Sequence, residues 1–125
     1  ISIINKIKLP YNISGLVQDF ALDILSKYAS QKDTMVEQII IERNKLATSI
    51  LQISGVKHVW KSDANFILVK INDANKIYNY LVNQGIIVRD RSKIELCEDS
   101  LRITIGTPSE NKLLLEKLSN YMQQK

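Results

Sequence analysis

Two arginines, Arg89 and Arg102, stand within "IVRDRSKIELCEDSLRITIGT", residues 87–107, each on a stretch that otherwise reads as β-strand. A guanidinium stays charged at any working pH. It offers paired donors that match a carboxylate or a phosphate, so two on neighbouring strands could clamp one dianion. The plainer reading is that each points into solvent and contributes little. Spacing leaves both readings open.

The other reactive side chains suggest less. His58 lies beside Trp60 with no group in sequence to orient it as a base, which reads as a surface or boundary histidine. The single cysteine, Cys97, sits between acids in "ELCEDS", where a thiolate is disfavoured. With one cysteine and one histidine there is no internal disulfide and no Cys/His zinc site. Trp60 and Phe66 read as core or interface aromatics. Neither Gly15 nor Gly106 belongs to a dinucleotide or phosphate-loop motif.

These residues need a scaffold, and the chain can build one. Its 125 residues suffice for one domain with a core, and 45% hydrophobic with 24% charged residues describe a globular protein. Seventeen basic against 13 acidic side chains leave a net charge of +4 without a run of like charge. That is a mixed solvated surface rather than a nucleic-acid footprint. An RNA-binding sheet would also want aromatic platforms, which the strands lack. No apolar stretch reaches 18 residues, so no membrane span is expected, and no signal peptide opens the chain. The cysteine usage suits a reducing, cytoplasmic setting. The opening "ISIINKIKLPYN" lacks an initiator methionine, and the expectation is a chain cut from something longer.

Periodicity predicts a helix over about 14–28, capped by Asn12 or Ser14, with Leu16, Phe20 and Ile24 on one face. A longer helix follows, with Asp33 as N-cap and Gly55 as its terminating glycine. "VKHVW" and "NFILVKI" read as strands. "DANKIYNYLVNQGI" reads as a helix capped by Asp73 and stopped by Gly85, with Ile77, Tyr80 and Leu81 facing inward. "IIVRD" and "SLRITIGT" are two more strands, and the segment from Pro108 onward is a closing helix. The order ααββαββα argues for an α+β two-layer sandwich: a small, largely antiparallel sheet of about four strands, helices on one face, long helices leading in.

"PYNIS", "ER", "SDANFILVK", "GIIVRDRS" and "LRITIGTPSENKLLLEKL" occur in order across nearly the whole chain. Together they resemble the C-terminal part of the histidinol-phosphate aminotransferase family, whose members are fold-type I enzymes using pyridoxal 5′-phosphate. The resemblance implies an extended inter-domain segment over 1–12 and a small domain over 13–125. It implies amino transfer between histidinol phosphate and 2-oxoglutarate in histidine biosynthesis, glutamate being the other amino-bearing partner, and a homodimeric parent. It makes Arg89 and Arg102 binders of the substrate's anionic end and places Asn65, of "ANF", on the strand that approaches the substrate cleft. The family's Schiff-base lysine motif and its cofactor-holding groups lie in a large domain with no counterpart in this sequence. The resemblance therefore implies pyridoxal phosphate in the full-length parent and none bound by this piece, which is expected to be inactive alone. The alternative is a stand-alone α+β module that binds an amino acid or a phosphate ligand.

Overall fold

The computed structural model describes residues 13–123. The expected extended segment 1–12 lies outside the described residues. The chain divides into two units, Ile1–Met35 and Val36–Lys125.

Helix α1 runs Gly15–Leu51, with non-helical dihedrals at Tyr28 (φ −124°, ψ 22°). Two helical stretches meet at Tyr28, where periodicity predicts the first to end, but Asp33 is not an N-cap. Asp33 sits inside the second stretch and pairs with Lys32 at 2.8 Å. In the first unit the expected apolar face is present but exposed: Leu16 is 84% and Phe20 66% accessible.

The second unit holds the sheet: β1 (Val56–Val59), β2 (Phe66–Ile71), β3 (Arg89–Asp90) and β4 (Ser100–Thr104). The spatial order is β1-β2-β4-β3 with every pair antiparallel, as expected. Helix α2 (Ala74–Asn83) carries the chain from β2 to β3, and α3 (Pro108–Gln123) closes it. The helices contribute to one core on one face of the sheet. Strand period does the sorting: Ile67, Val69 and Ile71 of β2 and Leu101, Ile103 and Ile105 of the β4 segment are buried. They meet Leu46 and Ile50 of α1, Ala74, Ile77 and Leu81 of α2, and Leu114 and Leu118 of α3. Tyr78 and Tyr80 both lie partly buried against this core, although they are two residues apart on one helix.

The ends of α2 explain why β3 is shorter than predicted. Gly85 (φ +77°) follows the C-cap, its N–H bonds Val82 O at 2.9 Å, and the Ile86 N–H returns to Leu81 O at 2.9 Å. This is a Schellman ending. It commits the Ile86 N–H to the helix, and pairing with β4 begins only at Arg89. At the other end Asp73 occupies the N-cap position in a left-handed conformation and makes no side-chain cap bond; its carboxylate meets Lys76 at 3.1 Å.

Candidate anion-binding face

The face of the sheet away from the helices carries the even-numbered residues of β2 and β4. Antiparallel register sets Leu68 opposite Arg102 and Phe66 opposite Thr104. On the other side of β4, Arg89 is the direct partner of Arg102. Directly opposite residues share a face, so the two arginines predicted from sequence are brought side by side.

Arg102 is half-buried and Arg89 exposed. The Arg102 guanidinium lies over the Phe66 ring, 4.8 Å from its centroid, a diagonal contact that fixes the head against an apolar surface. Its Nε is buried and has no hydrogen-bond partner. Partial loss of solvent pushes the Arg102 pKa down, and the charges of Arg89 and then Arg91 push it further. No ion pair joins any of these arginines to an acid among the described residues. Cross-strand like charges oppose folding, so the face holds positive potential that the fold itself does not neutralise.

Asp90, between Arg89 and Arg91, does not neutralise it. Asp90 pairs with Leu101, a core-face position. Its carboxylate accepts from Asn75 Nδ2 of α2 at 3.0 Å and from the Ser92 N–H at 2.8 Å. Partial burial works to raise its pKa, but Ser92, Asn75 and Lys93 outweigh that and leave it below the ordinary carboxylate range.

Asn65 is exposed, one residue before β2, and its carbonyl accepts the Ile105 N–H at 2.9 Å. It lies off the Leu68–Arg102–Arg89 row, and no hydrogen bond joins its side chain to either arginine among the described residues. His58 is exposed and stacks edge-on against Trp60 at 4.9 Å, and Cys97 is half-buried. Clefts of about 430 and 440 Å³ open beside α1 and β1 and between the Gly85–Val88 segment and β4. Neither takes in Arg89, Arg91 or Arg102.

Three supports were not read from the sequence. Arg43 donates from Nη1 to Ala64 O at 2.8 Å and so fixes the loop that carries Asn65. The "GTPSEN" segment is a capping box: the Thr107 N–H donates to Glu110 Oε2 at 2.7 Å, and the Glu110 N–H reaches back to Thr107 Oγ1 at 3.4 Å. The Thr-x-x-Glu spacing was the available signal. Asn111 then brackets Gly106, accepting its N–H and donating to its carbonyl, both at 3.0 Å, and donates to Glu42 Oε2 of α1 at 3.1 Å. These bonds lock the end of β4 to two helices and hold the arginine-bearing strand in place. The third is Arg91, whose charge reaches Arg102.

The antiparallel sheet thus carries its helices on one face and a cationic row on the other. The model of aminotransferase class I and II matches residues 1–118, and the chain belongs to that family. It is similar to the histidinol-phosphate aminotransferase of Flavobacterium psychrophilum, 50% identical over 118 residues (94% of this chain, 34% of the relative). It is also similar to that of Cytophaga hutchinsonii, 47% identical over 121 residues (97% and 34%). The chain thus spans about a third of the length of the curated relatives it matches. The fold matches the crystal structure of the histidinol-phosphate aminotransferase from Clostridium acetobutylicum, with a TM-score of 0.80 at 22% identity, covering 99% of this chain and 38% of that one.

Proposed function

We propose that this chain is the substrate-gripping small domain of an aminotransferase that moves an amino group between histidinol phosphate and 2-oxoglutarate. Arg89 and Arg102 take the anionic end of the substrate, phosphate in one half-reaction and a carboxylate of glutamate in the other. Asn65 stands at the cleft edge. The observation that carries the reading is the cross-strand Arg89–Arg102 pair, uncompensated by any described acid. The names of the relatives supply the substrate class. On this reading the parent acts as a homodimer and uses pyridoxal phosphate, named in the structure of the Sinorhizobium meliloti enzyme, which shares this fold (TM-score 0.76, 20% identity). That cofactor supplies an electron sink for carbanion chemistry. The described residues do not fit its covalent site: none of their lysines is buried, whereas such a lysine is tuned by desolvation or a neighbouring cation. The reading therefore assigns the chain substrate binding alone and leaves cofactor chemistry to the large domain of the parent.

The test is a chimera in which this chain replaces the corresponding third of the Flavobacterium psychrophilum relative. Transamination of histidinol phosphate is expected. Arg102→Lys should lower kcat/KM about ten- to a hundredfold, because an ammonium cannot reproduce the planar fork. Arg89→Ala should harm the phosphorylated substrate more than glutamate. Near-normal values for both variants with both substrates would make these arginines ordinary surface charges.

A further inference from the structure

The anion site proposed above uses two arginines, yet a third charge bears on the same head group. Arg91 follows β3 and extends its ladder by one bond, its N–H donating to Ser100 O at 2.8 Å. It is therefore placed opposite Ser100, two residues along each strand from the Arg89–Arg102 pair. Strand alternation puts positions 89 and 91 on one face. Arg91 is half-buried, and no described acid forms an ion pair with it. Asp90 is held on the helix side by Asn75 and the Ser92 N–H, and Glu98 Oε1 accepts the Leu96 N–H at 3.1 Å, while Glu95 and Asp99, the other acids of the loop, are exposed and form no ion pair with Arg91. Its charge is felt at the Arg102 guanidinium, third after burial and Arg89. Three cations exceed what a single carboxylate monoanion needs.

We propose that Arg91 is a specificity-determining residue of the same site, adding the third positive charge that makes it prefer a phosphomonoester dianion over a carboxylate monoanion. The proposal rests on the reading of Arg89 and Arg102 as an anion grip. Its logic is charge number. A dianion gains from a third cation about twice what a monoanion gains, whereas the planar fork that orients either ligand is already present in Arg102. Because Arg91 acts through its charge and not through a fixed bidentate contact, lysine should serve nearly as well.

Phenyl phosphate and benzoate present the two charge types on one scaffold. Each is titrated into the 125-residue chain in chloride buffer, followed by ¹⁵N–¹H NMR of the Arg102 Nε–H and the β4 amides. The wild-type chain is expected to bind phenyl phosphate more tightly than benzoate. Arg91→Gln should weaken phenyl phosphate about tenfold and benzoate about threefold, half the free energy. Arg91→Lys should stay within about threefold of wild type for both. If Arg91→Gln leaves phenyl phosphate unchanged while Arg102→Lys abolishes its binding, the role of Arg91 is overturned and the two-arginine grip stands. If neither variant matters, or the wild type shows no saturable shift, both fall. Equal losses for the two ligands, or a loss with lysine as large as with glutamine, would make Arg91 a packing residue and overturn the selectivity claim.

Discussion

Replacing Arg89 by glutamine should make the free protein more stable while making it a worse binder. Arg89 and Arg102 are direct cross-strand partners, and like charges in that position oppose pairing. The opposition acts on a strand of only two residues, Arg89 and Asp90, at the edge of the sheet. Glutamine keeps a polar side chain and the backbone donor and removes the charge. Its effect on Tm should be a rise of about 1–5 °C in dilute chloride buffer, the range expected for one exposed cross-strand pair in a domain of this size. Because Arg89 is exposed, the gain should fade as the screening length contracts from about 30 Å at 0.01 M salt to about 3 Å at 1 M. Ligand should reverse the order. Phenyl phosphate stabilises whichever protein binds it, by an amount that grows with the ratio of its concentration to Kd, so wild type should gain more and overtake the variant. Thermal melts of both proteins at low and high chloride, with and without phenyl phosphate, read all four corners. A lower Tm for Arg89→Gln at low salt, or a difference indifferent to salt, would refute the view that this pair is an unneutralised charge held ready for an anion.

The remaining predictions concern the frame that holds β4. Thr107→Ala should cost about 1 kcal/mol, the usual loss for an N-cap, read from urea midpoints. Thr107, through its N–H first and its hydroxyl second, holds the Glu110 carboxyl below its ordinary range. The folded-state pKa is depressed, so this stabilisation is complete above the unfolded value and lost as pH falls through the folded one; the Tm gap between wild type and Glu110→Gln should close between about pH 5 and pH 3. Gly85→Ala should cost about 1 kcal/mol, since φ is +77° and nothing lies within 4 Å of the added Cβ. Gly55→Ala should cost about the same, because φ is +83° and the one close contact, 2.9 Å to Met122 Cε, is with the far end of a flexible side chain that can move aside. Met122→Ala in the Gly55→Ala background should therefore recover no stability, and a recovery would mean that the thioether cannot move aside.

The elements were legible where one period ran unbroken. Leu101, Ile103 and Ile105 against Arg102 and Thr104 fix which face of β4 is buried, whereas "FILV" of β2 is apolar at every position and its buried face, Ile67 and Val69, emerges only from pairing with β4. Boundaries failed where a local bond overrode the pattern. "IIVRD" reads as five residues of strand, but the Schellman ending of α2 takes the Ile86 N–H, leaving two paired residues. Asp33 has the chemistry of a cap and no role as one, because the second stretch resumes directly after Tyr28, where the first was expected to end, and Asp33 lies inside it. Asp73 is at the right position, yet its left-handed backbone comes without a side-chain cap bond.

The site was half legible for a related reason. Arg89 and Arg102 stand out because each interrupts an apolar strand, and alternation alone predicts that they leave the core. Their being neighbours is a matter of register, which depends on the length and shape of the loop between them. That loop contains two non-glycine residues at positive φ, Leu96 (65°) and Asp99 (53°). Such turns bring Arg91 back against Ser100 and thereby set 89 against 102, since antiparallel partners here keep a constant index sum. In sequence Arg91 is one charge in the polar run "RDRSK", indistinguishable from a solvated loop residue. Only the bond to Ser100 puts it on the arginine face, and only the turning of Asp90 toward α2 leaves that face unneutralised. The charge that tunes the site is thus encoded less by Arg91 itself than by the residues that decide where the loop closes.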